Sequence, residues 1–124
     1  MIFPADPALL KAARAAIAKL GPVKGERTGR TLTIEVGGTG VSGPVFLDNA
    51  EYRKYVFDVW QARCLDMEST AYAQVCYTNE IPFLAVRALS DLAGGQEGKN
   101  VIDHHEATSS FNAVRVMRAI LREL

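Results

Sequence analysis

Apolar residues recur at helical spacing near the start of the chain, as Leu9, Leu10, Ala13, Ala16, Ile17 and Leu20. Asp6 stands where an N-cap would, Pro7 suits the first helical position, and Gly21-Pro22 stops the segment. After a polar, basic loop over residues 23–30 the period changes. Leu32, Ile34 and Val36 alternate with polar partners, which predicts a strand over Thr31–Val36. A glycine-rich turn over Gly37–Gly43 and a short extended piece, Val45-Phe46-Leu47, come next. Asp48 or Asn49 can cap a helix running to about Gln61, with Glu51 placed as a capping-box acid. Cys64-Leu65 reads as a short strand feeding Asp66.

A further helix is expected from near Met67 to about Tyr77, where Ala71, Ala73, Val75 and Cys76 are small enough to pack closely on a sheet. Asn79 and Pro82 bracket the turn out of it. Phe83–Leu89 is apolar apart from Arg87, which predicts a parallel strand buried on both faces. Leu92–Ile102 is a polar loop. The last helix starts at about Asp103 or Thr108 and carries the stripe Phe111, Val114, Met117, Ile120, Leu121, Leu124. Helices and strands therefore alternate in a single domain over residues 1–124. The pattern is a three-layer α/β fold with about three strands and flanking helices, few strands for such a sheet.

Composition changes this picture only by exclusion. A chain of 124 residues can bury a real core, and 48% hydrophobic with 23% charged residues is ordinary for a globular protein. Basic and acidic residues number 14 each, so the charge excess of a nucleic-acid binder is missing. Tyr52-Arg53-Lys54-Tyr55 is too short for a base-stacking platform and reads as a helix surface. No apolar run approaches membrane-spanning length, and Pro4 and Pro7 interrupt an N-terminus that has no signal-peptide pattern. Lys11, Arg14 and Lys19 read as the solvated face of the first helix rather than a membrane-surface face. Cys64 and Cys76 lack metal spacing, and buried free thiols in a reducing compartment, the cytoplasm, are the simplest reading. A disulfide between them stays open on sequence grounds.

Three groups could carry chemistry. Glu68 begins a helix and Asp91 ends a strand, so both can stand at one rim of an α/β sheet, where such sheets bind ligands. Arg87 in an apolar strand needs a partner, for which Glu68 and Asp91 are the natural candidates. Each acid alone has a structural explanation, as helix-dipole or turn residue. Gly38-Thr39-Gly40-Val41-Ser42-Gly43 matches the dinucleotide-binding pattern, but extended Pro44-Val45-Phe46-Leu47 follows where a helix should. A tight turn approaching a ligand with its backbone is the favoured reading. Asp103-His104-His105-Glu106 resembles a metal cluster, yet adjacent helical residues point about 100° apart, so a helix cap is favoured over a metal. No metal and no cofactor is expected.

Cys64-Leu65-Asp66-Met67-Glu68-Ser69-Thr70-Ala71 and Pro82-Phe83-Leu84-Ala85-Val86-Arg87-Ala88-Leu89-Ser90-Asp91 resemble the purine nucleoside and uridine phosphorylase superfamily, of the methylthioadenosine/S-adenosylhomocysteine nucleosidase kind. Val41-Ser42-Gly43-Pro44-Val45-Phe46 is similar to its ligand-covering segment, with Pro44 where an acid is often found. The resemblance implies cleavage of the N-glycosidic bond of a purine nucleoside, by water or phosphate. It implies that Glu68 holds ribose hydroxyls and Met67 packs on the sugar. Asp91 would share a proton with the purine, oriented by Ser90. Phe46 would stack on the base, backbone near Leu47 would read its edge, and Arg87 would position the nucleophile or the carboxylates around it. The match falls on the C-terminal half of the family fold, whose other half supplies much of the nucleophile site and a further carboxylate. Self-association, or a complementing N-terminal half, is accordingly expected. Two other functions stay open: a non-catalytic nucleoside-binding or oligomerisation module, and a dinucleotide-binding domain.

Overall fold

A computed structural model describes residues 1–25, 29–95 and 102–124, apart from the side chains of 102–107. The Asp103–Glu106 side chains, and parts of the loops expected at 23–30 and 92–102, therefore lie outside the described residues. Helix α1 (Pro7–Leu20) is capped as its sequence predicts, with Asp6 Oδ1 accepting from the Ala8 and Leu9 amides at 2.8 and 2.9 Å. It packs against α4 (Ile102–Leu121), where Ala13 and Ala16 meet Val116 and Ile120 in the buried core. Alanine on α1 lets the two helices approach closely while the larger residues of α4 supply the apolar area. A Lys19–Glu123 ion pair at 2.6 Å joins their ends, but it is too exposed to contribute much.

The helix α1–α4 core is covered by Ile34 and Val36 and by Leu84 and Val86. Residues 31–36 alternate exposed and half-buried, and so do residues 84–90. The predicted period of two is therefore present, but the two predicted strands are not. Thr31 makes only an isolated antiparallel bridge to Lys24, and residues 83–89 join no ladder. The period reports which side of a segment faces the core, whereas a ladder needs a second backbone at hydrogen-bonding distance. Burial on both faces of Phe83–Leu89 is corrected as well: Ala85, Arg87 and Leu89 are exposed.

The sheet of the described residues has two parallel strands, β1 (Thr39–Ser42) and β2 (Ala62–Asp66), with α2 (Ala50–Trp60) between them in sequence. Strand β2 contains the predicted Cys64-Leu65, but β1 occupies the segment expected to be a glycine turn. Gly40 pairs with Cys64, and a Cβ on Gly40 would lie 3.0 Å from the Cys64 Sγ. Here glycine serves a close strand approach rather than a turn. Asn49, not Asp48, caps α2, its Oδ1 accepting from the Tyr52 amide at 2.8 Å, and Gln61 closes the helix at φ 53°. Helix α3 (Ser69–Thr78) starts after Met67 and Glu68 rather than at them. Val56 of α2 and Ala73 of α3 are the buried residues of these two helices, α2 against β2 and α3 against β1. Both cysteines are free and half-buried rather than fully buried. Among the described residues the result is a partial α/β fold of four helices and a small parallel sheet. Among the described residues, no helix is long and apolar enough to cross a membrane.

The Gly40–Cys64 approach generates a prediction. Gly40→Ala should destabilise the chain by about 1–3 kcal/mol through overpacking, and Cys64→Ala should recover part of that loss in the double variant. Thermal melts of the four proteins in the cycle check this, and purely additive losses would contradict the contact.

Candidate functional site

Strand β2 ends at Asp66, and its carboxylate organises the turn into α3. Asp66 Oδ1 accepts from the Ser69 and Glu68 amides at 2.9 and 3.2 Å, and Oδ2 accepts from the Ser69 hydroxyl at 2.6 Å. Glu68 occupies the cap position without making a side-chain cap bond, so Asp66 supplies the acceptors for these amides. The start of α3 is also tied to the end of β1, since Ser42 Oγ accepts from the Thr70 amide at 3.1 Å. Gly43 donates its amide to the Asp66 carbonyl at 3.1 Å.

Arg87 reaches this turn from the outward face of the 84–90 segment. Its Nε lies 2.9 Å from Asp66 Oδ2 and donates to Ser69 Oγ at 3.1 Å, and its Nη2 donates to Glu68 Oε2 at 3.1 Å. Of the two acids expected to partner it, Glu68 does so, and Asp66 joins as the less exposed member at 11% of its side chain. Glu68 keeps 49% of its side chain exposed while Arg87 holds it by Oε2. Burial alone would push the Asp66 carboxyl up. The hydrogen bonds from the side chains of Ser69 and Ser42 and from the Ser69 amide, together with the Arg87 charge, outweigh burial and hold it below the usual carboxylate value. Behind it, burial pushes the Cys64 thiol up, and the Asp66 charge pushes it the same way against Arg87. Cys64 is thus a poor nucleophile.

Ser90 and Asp91 follow on the same segment, with the Ser90 hydroxyl donating to Asp91 Oδ1 at 2.7 Å. Arg87 and Ser90 share the wall of an open depression of about 250 Å³ with Val86, Ala88, Ser109, Ser110 and Ala113. Phe46 is exposed, Leu47 half-buried and Met67 exposed, just before α2 and α3 respectively. The structure thus brings Arg87 to Glu68 and Ser90 to Asp91, and leaves Phe46, Leu47 and Met67 as open surface. Asp66, Ser69 and Ser42 are the residues that sequence reasoning did not assign to the site. An aspartate three residues ahead of a serine at a helix start was the available signal. The glycine pattern Gly38–Gly43 runs through β1 and its end, and the next helix begins only at Ala50, so the dinucleotide-binding alternative loses its required context. Among the described residues, no group of three or more candidate ligands could hold a metal ion.

The Asp66 environment predicts an acid-sensitive stability. Its carboxyl binds a proton less readily when folded than when unfolded, so the stabilisation is present above its ordinary value of 3.8 and is lost as pH falls through the lower folded value. Asp66→Asn should flatten the decline of Tm with falling pH in that range. An unchanged slope in melts across pH would show that Asp66 is not the group responsible.

The sequence pattern of the phosphorylase superfamily matches residues 1–124. Proteins named 5'-methylthioadenosine/S-adenosylhomocysteine nucleosidase, from Staphylococcus aureus strains JH9, Newman and COL, are each 36% identical to this chain over 95 residues. The aligned stretch covers 76% of this chain and 40% of each relative, so the match spans well under half the length of these proteins. No solved structure matches the chain. Matched along its whole length, the chain belongs to the phosphorylase superfamily.

Proposed function

We propose that this chain carries the base- and sugar-facing part of a purine nucleosidase or phosphorylase site, with 5'-methylthioadenosine-like nucleosides as the substrate class. The observation that carries this reading is the grip of Arg87 on Glu68 and Asp66 at the end of β2. Breaking an N-glycosidic bond builds positive charge on the sugar and negative charge on the leaving base. Glu68 and Asp66 against a single guanidinium leave a net negative rim for the sugar side, and Glu68 would take the ribose hydroxyls. Met67 would pack on the sugar. Asp91, oriented by Ser90, would deliver or share a proton with the purine, and Phe46 and the Leu47 backbone would stack on the base and read its edge. Arg87 would also position water or phosphate. The names of the similar nucleosidases support the substrate class. Free Cys64 and Cys76 fit a cytoplasmic setting.

A non-catalytic purine-binding module is the second reading, favoured by how open the Phe46 and Met67 surfaces are. The resemblance implies that the nucleophile side comes from the other half of the family fold, and the aligned stretch covers 40% of each relative. The chain by itself should therefore cleave methylthioadenosine or adenosine slowly or not at all, with or without phosphate. Turnover on the order of 1 per second or more from purified protein would contradict this. Where turnover is measurable, Asp91→Asn should lower it about 100-fold with little change in Tm. A variant that loses stability but keeps its rate would make Asp91 structural.

Completion of the site by a second copy, or by a complementing N-terminal half, is part of the proposal. Tyr72 and Val75 on α3 and Phe111, Val114 and Leu121 on α4 are exposed apolar side chains of the kind that drive association. Sedimentation at micromolar concentration should find a homodimer or larger assembly, with Glu68 and Asp91 near the interface. A well-folded, strictly monomeric species would contradict it.

A further inference from the structure

The turn that follows Asp91 is fastened to the start of α2, where the proposed base-stacking residues Phe46 and Leu47 lead in. Leu92–Gly95 closes on itself through the Gly95 amide donating to the Leu92 carbonyl at 2.6 Å. From α2, Arg53 Nη1 donates to the Ala93 carbonyl at 2.8 Å in a part-buried contact. Asp48, next to Leu47 and just ahead of the cap, accepts from the Gly94 amide at 2.6 Å. Arg53 is thus half-buried, unlike the exposed Tyr52 and Lys54 beside it, and is not the surface residue its sequence setting suggests. Gly94 sits at φ 64°, and a Cβ there would lie 2.3 Å from the Ala50 nitrogen. Backbone therefore meets backbone at this junction, and a side chain on Gly94 would force it open.

We propose that Asp48 and Arg53 are positioning residues that hold the Ser90–Asp91 turn against the Phe46–Leu47 segment, so that the proton donor and the stacking surface for a purine move as one unit. The proposal rests on the purine-site reading above. Asp48 and Arg53 act from opposite sides of one peptide unit. The first takes the amide of Gly94 and the second donates to the carbonyl of Ala93, and these two groups belong to the same peptide plane. That plane is fixed in position and in rotation, three residues beyond Asp91. Neither side chain needs to touch the ligand to have this effect.

Adenine is the probe, with calorimetric Kd and hydrogen exchange at the Gly94 amide measured on the full chain. Arg53→Ala and Asp48→Ala should each speed Gly94 exchange and weaken adenine binding about tenfold, the equivalent of one charge-assisted hydrogen bond. Asp48→Asn, which keeps an acceptor oxygen, should bind close to wild type. Gly94→Ala opens the junction from the other side and should reproduce the loss if either alanine variant melts early. Wild type that binds adenine, with the variants binding equally well despite fast Gly94 exchange, would overturn the positioning role alone. Wild type that binds no adenine would overturn the purine-site reading and the positioning role with it.

Discussion

Arg87 stands on the outward face of a segment whose inward face, Leu84 and Val86, packs on α1 and α4. Its guanidinium then grips Asp66 and Glu68 at the far end of β2. Arg87 thereby joins the segment that covers the helical core to the small sheet, while among the helices and strands α1 and α4 contact mainly each other. The coupling depends on strict alternation along residues 84–90, because a shift of one residue would carry Arg87 into the core and Val86 out. Asp66 can bear its charge in this setting because three donors from Ser69 and Glu68, as well as the guanidinium, meet it.

The site inherits its form from that coupling. Glu68 is held by a neighbour on another segment rather than by its own helix, so its direction is set by where Arg87 sits. Ser90 and Asp91 continue the segment that delivers Arg87, so the positions of Glu68, through Arg87, and of Asp91 are both set by that one segment. Phe46, Met67 and Leu89 present apolar surface to solvent.

Much of this was legible in the sequence, and the rest was lost for identifiable reasons. Asp6-Pro7 and Gly21 mark the ends of α1 because capping is a local contest that a few neighbouring residues decide. The apolar period at Leu32–Val36 and Leu84–Val86 correctly gives the core-facing side of both segments. It cannot give their pairing, which depends on backbones distant in sequence. In sequence Gly40 looks like part of a turn because glycines flank it nearby, while its reason for being glycine is Cys64 across the sheet. The partnership of Arg87 with Glu68 could be inferred from the need to neutralise a charge in an apolar segment. Asp66 was harder to assign, since a carboxylate that caps a turn and one that binds a guanidinium look alike in sequence. Arg53 was hidden by its place in a polar, aromatic run on α2.

The proposed nucleoside site is formed by the turn after β2 together with the Arg87–Asp91 segment. Backbone chemical-shift mapping during titration with a non-hydrolysable methylthioadenosine analogue tests it most directly. Perturbations should concentrate at Phe46–Leu47, Met67–Ser69 and Arg87–Asp91, with the sugar-side residues unresponsive when adenine replaces the nucleoside. Saturating analogue that leaves these three stretches unmoved, or that shifts only residues elsewhere on the chain, would contradict it.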